Sequence, residues 1–206
     1  MRQLLRHVRF FTRSTRASVS VEAILMFPML ALAMMSTYIY FDAYRAQNTN
    51  LKAVYTVADA ISRESSINPS YLDTMYDLLN FLTHSNHPTR LRVTLVQCAE
   101  TAECLDADST TMVYDVVWSR VRGNIDRLTD ANINELRDRL PVFPKGDTLL
   151  IVDTGMAYEP IFRVGIGVIS MEQMAVIRAR YIPPYICWQR NDDSYICPFG
   201  EDEPAT

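Results

Sequence analysis

Apolar positions along the chain fall into three regimes. The first is an unbroken run from Ala23 to Phe41 (AILMFPMLALAMMSTYIYF), 19 residues without an ionisable charge. A helix needs about 20 such residues to cross the hydrocarbon core of a bilayer, so 23–41 is expected to span one. In the second regime the pattern turns periodic: Leu51, Val54, Tyr55, Ala58 and Ile61 recur at i, i+3, i+4, i+7 and i+10, one apolar stripe of a helix. One continuous helix is therefore expected from Ser18 to about Ser66. At ~70 Å it is far longer than the bilayer is thick, and its second half should lay the stripe on a folded body. Asn68-Pro69-Ser70 breaks the pattern, and Tyr71 to Leu82 reads as a short second helix.

The third regime is strand-like. Leu91 to Gln97 and Thr111 to Trp118 are β-rich and flank an acidic excursion from Cys98 to Ser109, which predicts a hairpin with a long tip. A helix near Asn132 to Arg139 follows, then strands at Thr148 to Asp153 and Met174 to Ile182. In the last, Ala175, Ile177, Ala179 and Tyr181 alternate with Val176, Arg178 and Arg180, as one covered and one wet face require. Arg178 and Arg180 thus read as solvated strand residues. From Pro183 onward, proline and the acids Asp192, Asp193, Glu201, Asp202 and Glu203 predict an exposed tail. The expected fold is α+β: a long N-terminal helix, transmembrane and then amphipathic, followed by a small antiparallel-sheet exported domain. The expected divisions are a basic leader at 1–17, the helix at 18–67, the domain at 68–182 and the tail at 183–206.

Charge gives the helix a direction. The net charge of -4 averages two unlike parts, because residues 1–17 carry five arginines and no acid, leaving 15 basic against 24 acidic groups in the rest. Cationic flanks stay cytoplasmic, so the N-terminus is expected inside and the net-acidic body outside. Tyr38, Tyr40 and Tyr44 gather at the outer end, where amphipathic rings favour the headgroup layer. An acidic body offers no positive surface to track phosphates, which argues against nucleic acid as a partner. With 206 residues, 49% hydrophobic and 21% charged, the chain is neither disordered nor a multi-span protein.

Four cysteines agree with export. Cys98 and Cys104 enclose the acidic loop, and Cys187 and Cys197 bracket WQRNDDSYI. Disulfides persist in oxidising compartments. Neighbour pairing is the simplest connectivity, but three are formally open and the sequence does not choose among them. The spacings are C-x5-C and C-x9-C, with only His84 and His87 nearby, so a zinc site is not favoured and no cofactor is expected.

Three fates compete for the N-terminus. Cleavage after Ala31-Leu32-Ala33 would make an ordinary secreted protein, although Glu22 at the start of the apolar stretch is costly in lipid and the run continues past Ala33. No cleavage would leave a signal anchor. In the third fate, Arg16-Ala17-Ser18-Val19-Ser20-Val21-Glu22 is a prepilin-type junction cut after Ala17, with Ser18 as residue one, Glu22 as residue five and the helix retained. The carboxylate of Glu22 would then lie one turn from the new Ser18 ammonium. Its plainer role would be to favour the first helical turn, where negative charge is welcome. Pro28 removes one helix donor and leaves the Ile24 carbonyl without its usual partner, which loosens or kinks a membrane helix.

The stretch SVSVEAILMFPMLALAMMSTYIYFDAYR, with Glu22 followed six residues later by Pro28, resembles the N-terminus of the TadE/TadF-like family, small pilin-like proteins of the bacterial Tad (tight adherence, Flp-type) pilus machinery. The resemblance covers roughly residues 13–65, with Ala17 in place of the commoner glycine at the junction. Leu149-Leu150-Ile151-Val152-Asp153 followed by Tyr158-Glu159-Pro160-Ile161-Phe162 is similar to a strand and aromatic-x-Pro turn near the C-terminal end of such proteins. Arg178-Ala179-Arg180 sits where they often carry a basic doublet. The resemblance implies that Glu22 is an assembly residue meeting a neighbouring subunit's ammonium. It also implies, as partners, membrane lipid, a prepilin peptidase, other Tad pilins and inner-membrane pilus assembly proteins. The localisation implied is single-pass inner membrane with a periplasmic body. A single-span binding or assembly module that never enters a filament is the alternative.

An enzymatic reading finds one foothold. Ile151-Val152-Asp153-Thr154-Gly155, a strand running into D-T-G, resembles the active-site loop of aspartic proteases, whose paired carboxylates share a proton. No second D-[ST]-G occurs, and a turn at a strand end is the plainer expectation. There is no G-x-S-x-G, P-loop or G-x-G-x-x-G, so a non-enzymatic protein is expected.

Overall fold

The computed structural model describes residues 18–84, 89–99, 113–162, 167–180 and 185–200. The first helix, α1, runs unbroken over Ser18–Ile61, 44 residues or about 66 Å, with Pro28 inside it. No glycine occurs before Gly123, so nothing but that proline interrupts helix propensity here. It ends where the apolar stripe gives way to Ser62-Arg63-Glu64-Ser65: the Ser62 hydroxyl donates to the Asp59 carbonyl at 2.8 Å, and Asp59 pairs with Arg63 at 3.0 Å. The helix therefore stops about five residues short of the expected Ser66. Ser66–Ile67 instead form a short strand, β1. The second helix, α2 (Pro69–Thr83), begins as its capping residues dictate: Asn68 Oδ1 accepts from the Tyr71 N–H at 2.8 Å and Pro69 opens the first turn.

Contacts divide the chain into two compact units. The first groups the chain as far as Tyr44 with the segment Pro160–Gly167, and the second comprises Arg45–Glu159 and Val168–Thr206. In the second unit a four-stranded antiparallel sheet has the order β3-β2-β4-β5, with β2 at Thr89–Cys98, β3 at Tyr114–Arg122, β4 at Thr148–Tyr158 and β5 at Ile169–Arg178. β4 continues past its expected end at Asp153 to Tyr158, and β5 begins before the expected Met174 and ends at Arg178 rather than Ile182, because cross-strand pairing runs from Leu149↔Arg178 to Tyr158↔Ile169.

The two faces of this sheet carry different cores. Leu91, Val93, Leu95, Trp118, Leu150, Val152 and Ala175 cluster with Ala53, Val54, Val57, Ala58 and Ile61 of α1 and with Leu72, Met75 and Leu79 of α2. The stripe on α1 is thus rotated from the expected one: Val57 and Ala53 are buried, whereas Tyr55 is 52% exposed. On the opposite face Val96, Leu149 and Ile151 pack with Leu128, Ile133, Leu140 and Phe143, and Tyr114 stacks on Phe143 with ring centroids 5.4 Å apart. The predicted helix near Asn132 is a single turn, α3 (Asp130–Ile133), continued as a 3₁₀ segment over Asn134–Arg139. These residues protect the β3 edge, where Val116 N–H donates to Asp130 Oδ1 at 2.7 Å and Tyr114 N–H to Asn134 Oδ1 at 3.0 Å.

The expectation of an exposed tail from Pro183 is corrected. Tyr185, Ile186, Cys187 and Trp188 are buried, and β6 (Cys187–Gln189) pairs in parallel with β1 and antiparallel with β7 (Tyr195–Ile196). Trp118 donates its indole N–H to the Ile186 carbonyl at 3.0 Å, and Arg120 lies over the Trp188 ring at 4.6 Å. Of the acids that suggested exposure, Asp192 and Asp193 occupy the β6–β7 turn, while the apolar residues on either side face the core, and Glu201, Asp202 and Glu203 lie outside the described residues.

Candidate functional site

In the first unit the N-terminal part of α1 is an apolar surface without a cover. Every large apolar side chain from Val19 to Met35 is exposed, between 40% at Val21 and 74% at Val19, and no residue of the most apolar 18-residue window is buried. Glu22 is exposed one turn after Ser18, and Pro28 lies within the exposed stretch. The Thr37 hydroxyl donates back to the Ala33 carbonyl at 2.8 Å, so it asks nothing of the surroundings. Tyr38, Tyr40, Phe41 and Tyr44 form an exposed aromatic end. By length and composition this helix is able to cross a membrane. Ala17, and with it the proposed processing junction, lies outside the described residues.

In the second unit the chemistry gathers on the polar end of the sheet face that carries α3. Here Arg90, Arg92, Asp153 and Glu172, with Leu136 and Arg139, line a cleft of about 240 Å³. Arg92 Nε donates to Asp153 Oδ2 at 2.8 Å, and another guanidinium nitrogen donates to the Asp126 carbonyl at 3.0 Å. Burial pushes the Asp153 carboxyl above the usual aspartate range, and the Arg92 charge opposes that shift without cancelling it. Arg90 pairs with Glu172 and donates to the Ser170 hydroxyl at 2.8 Å.

D-T-G is neither a protease-like loop nor a turn. All three residues lie inside β4, paired with Met174, Gln173 and Glu172 on one side and with Arg92, Leu91 and Arg90 on the other. Asp153 holds Arg92. The Thr154 hydroxyl, on the opposite face, donates to Asn50 Oδ1 at 3.1 Å, and Asn50 Nδ2 donates to the Met171 carbonyl at 3.3 Å. Gly155 leaves room for Arg90: a Cβ there would stand 2.1 Å from Arg90 Nε. The motif's three letters thus have three separate structural uses. Asn50, which sequence reasoning passed over, bore a signal, being a polar residue in the helical register of Val54, Val57 and Ile61. Arg92 and Gly155 bore none, since their roles arise only from cross-strand register.

Cys187 and Cys197 are joined in a disulfide, Cα–Cα 4.4 Å, as neighbour pairing expects. Cys98 is buried and disulfide-bonded, and Cys104 lies outside the described residues. His84 ends α2 in the left-handed conformation at φ 49°, and His87 lies outside the described residues. Arg178 pairs with Asp147, and Arg180 with Asp59 at 3.0 Å, both arginines more than half exposed. Compared with family models, with curated proteins and with solved structures, the chain shows no match.

Proposed function

We propose that this chain is a non-enzymatic, pilin-like protein of a Tad-type pilus system, anchored in the inner membrane by α1 with its N-terminus cytoplasmic and its body periplasmic. It joins or supports a pilus through that helix. The observation that carries this reading is the division of one continuous helix into two halves of opposite surroundings. From Ala53 to Ile61 the helix is core; from Val19 to Met35 its large apolar side chains are all exposed. At about 1.5 kcal/mol or more per buried side chain, covering them with an apolar phase is worth well over 10 kcal/mol. The core helix of a water-soluble protein would already be covered. Lipid or neighbouring pilin helices would supply that phase, with packing rather than chemistry giving the affinity. The confinement of D-T-G to a strand, with Asp153 engaged by Arg92, supports the non-enzymatic part.

Glu22 gives the test. Glu22→Ala in the native host is expected to leave the protein folded and in the membrane fraction while abolishing its recovery in, or its support of, filaments. Unchanged filaments would instead favour the single-span module that never enters a pilus. A variant such as Leu30→Arg, which charges the exposed apolar face, is expected to lower membrane retention with the body still folded.

A further inference from the structure

We infer that the arginine-lined cleft on the α3 side of the sheet is a binding site for a carboxylate that adjoins an aliphatic group, and that the Glu172 side chain holds the carboxylate's place until the ligand arrives. The cleft lies wholly within the second unit. Cross-strand register sets its polar residues in two rows on one face of the sheet. Arg90, Gly155 and Glu172 lie side by side, and Arg92, Asp153 and Met174 form the next row.

The two rows differ in how firmly their charges are held. Arg92 is committed, to the mostly buried Asp153 at 2.8 Å and to the Asp126 carbonyl at 3.0 Å. Arg90 is positioned before any ligand, because Gly155 has no side chain to displace it and the Ser170 hydroxyl accepts from it at 2.8 Å. Its acidic partner is held less firmly: the Glu172 side chain is 72% exposed, against 29% for Arg90. An ion pair open to water contributes about 1 kcal/mol or less, so an arriving carboxylate can take the place of Glu172 at little cost.

Arg139 lines the same cleft and, among the described residues, makes no hydrogen bond or ion pair. Three arginines against two acids leave one positive charge over. That excess suits a monoanion, whereas a polyanion such as nucleic acid asks for many cations. Guanidinium forks match the planar carboxylate, and the apolar lining of Ile125, Leu136 and Met174 suits an aliphatic neighbour. At about 240 Å³ the cleft falls below the roughly 300 Å³ at which sites for drug-sized ligands begin, so it admits about one residue of a partner peptide.

The full-length oxidised protein in zwitterionic detergent micelles, carrying isotope-labelled arginine, would be titrated at constant ionic strength with N-acetyl-leucine, with its neutral amide and with inorganic phosphate. The arginine Nε–H resonances are the readout, assigned by their loss in Arg90→Lys and Arg139→Ala. The acid is expected to shift both resonances saturably and the amide to shift neither. Glu172→Gln should tighten binding of the acid about threefold by removing the competitor, and Arg139→Ala should weaken it about tenfold. Both substitutions replace exposed side chains, and an unchanged near-ultraviolet circular dichroism spectrum would show that the fold is kept. No saturable shift, or equal shifts from acid and amide, overturns the site. Tighter binding of phosphate than of the acid overturns the choice of carboxylate, and unchanged or weaker binding in Glu172→Gln overturns the displacement.

Discussion

Asp153 and Arg92 meet at 2.8 Å with both side chains mostly buried, so each depends on the other for its charge. Arg92→Ala would leave a buried carboxylate without its cation and is expected to cost about 3 kcal/mol near neutral pH, read from urea midpoints. Adding Asp153→Asn should recover part of that loss, because the unpaired charge is gone; an additive double variant would contradict the coupling. The pH dependence follows from the direction of the shift. Folding raises the Asp153 value, so the folded chain keeps a proton that the unfolded chain has released. Stability present below the ordinary aspartate value of about 4 is therefore lost as pH rises through the higher folded value. Asp153→Asn should flatten that part of the stability profile, and a variant with the parental slope would count against burial as the cause. At Gly155 a methyl group would displace Arg90 from Glu172 and Ser170. Because Arg90 is flexible, Gly155→Ala should cost only about 1 kcal/mol, and the cost should vanish in an Arg90→Ala background.

Among the elements, α1 shows most clearly what periodicity conveys and what it leaves out. Its existence and the division into a membrane-length run and a body-facing half were legible, because helix propensity and an i, i+3, i+4 stripe are local properties. The stripe's exact face was not. Val57 rather than Tyr55 faces the core, a rotation set by where the sheet lies and by Asn50, which ties the helix to Thr154 and Met171. Asn50→Leu is expected to lower stability by about 2 kcal/mol by stranding the Met171 carbonyl and the Thr154 hydroxyl. Pairing it with Thr154→Val should return some of the loss, as calorimetry of the two proteins would show. The segment after Pro183 misled for the opposite reason. Asp192 and Asp193 lie in a tight turn, and the burial of Trp188 depends on β1, residues distant in sequence. The Cys187–Cys197 bridge closes this ribbon, so replacing both cysteines by serine should cost about 2 to 3 kcal/mol and shift tryptophan emission to the red as Trp188 gains water. D-T-G shows the limit of short motifs: three letters that suggested a loop are strand residues, distinguishable only once register is known.

At the scale of the whole molecule, an α+β body and one long apolar helix are what pattern, charge asymmetry and cysteine spacing together predicted. The pilus assignment goes further than these, resting on Glu22, Pro28 and the junction before Ser18. Assembly through α1 requires that the helix be kept and the basic leader be removed, since only then does a new ammonium at Ser18 stand one turn from Glu22. Ordinary secretion would discard the helix, and a signal anchor would keep the leader. The N-terminal sequence of the mature protein, recovered from membranes of its own host, separates these three outcomes in one determination. Prepilin-type processing predicts Ser18-Val19-Ser20-Val21-Glu22. An intact Met1 would contradict it and leave an anchored module, and a start at Met34 would contradict the membrane anchor itself.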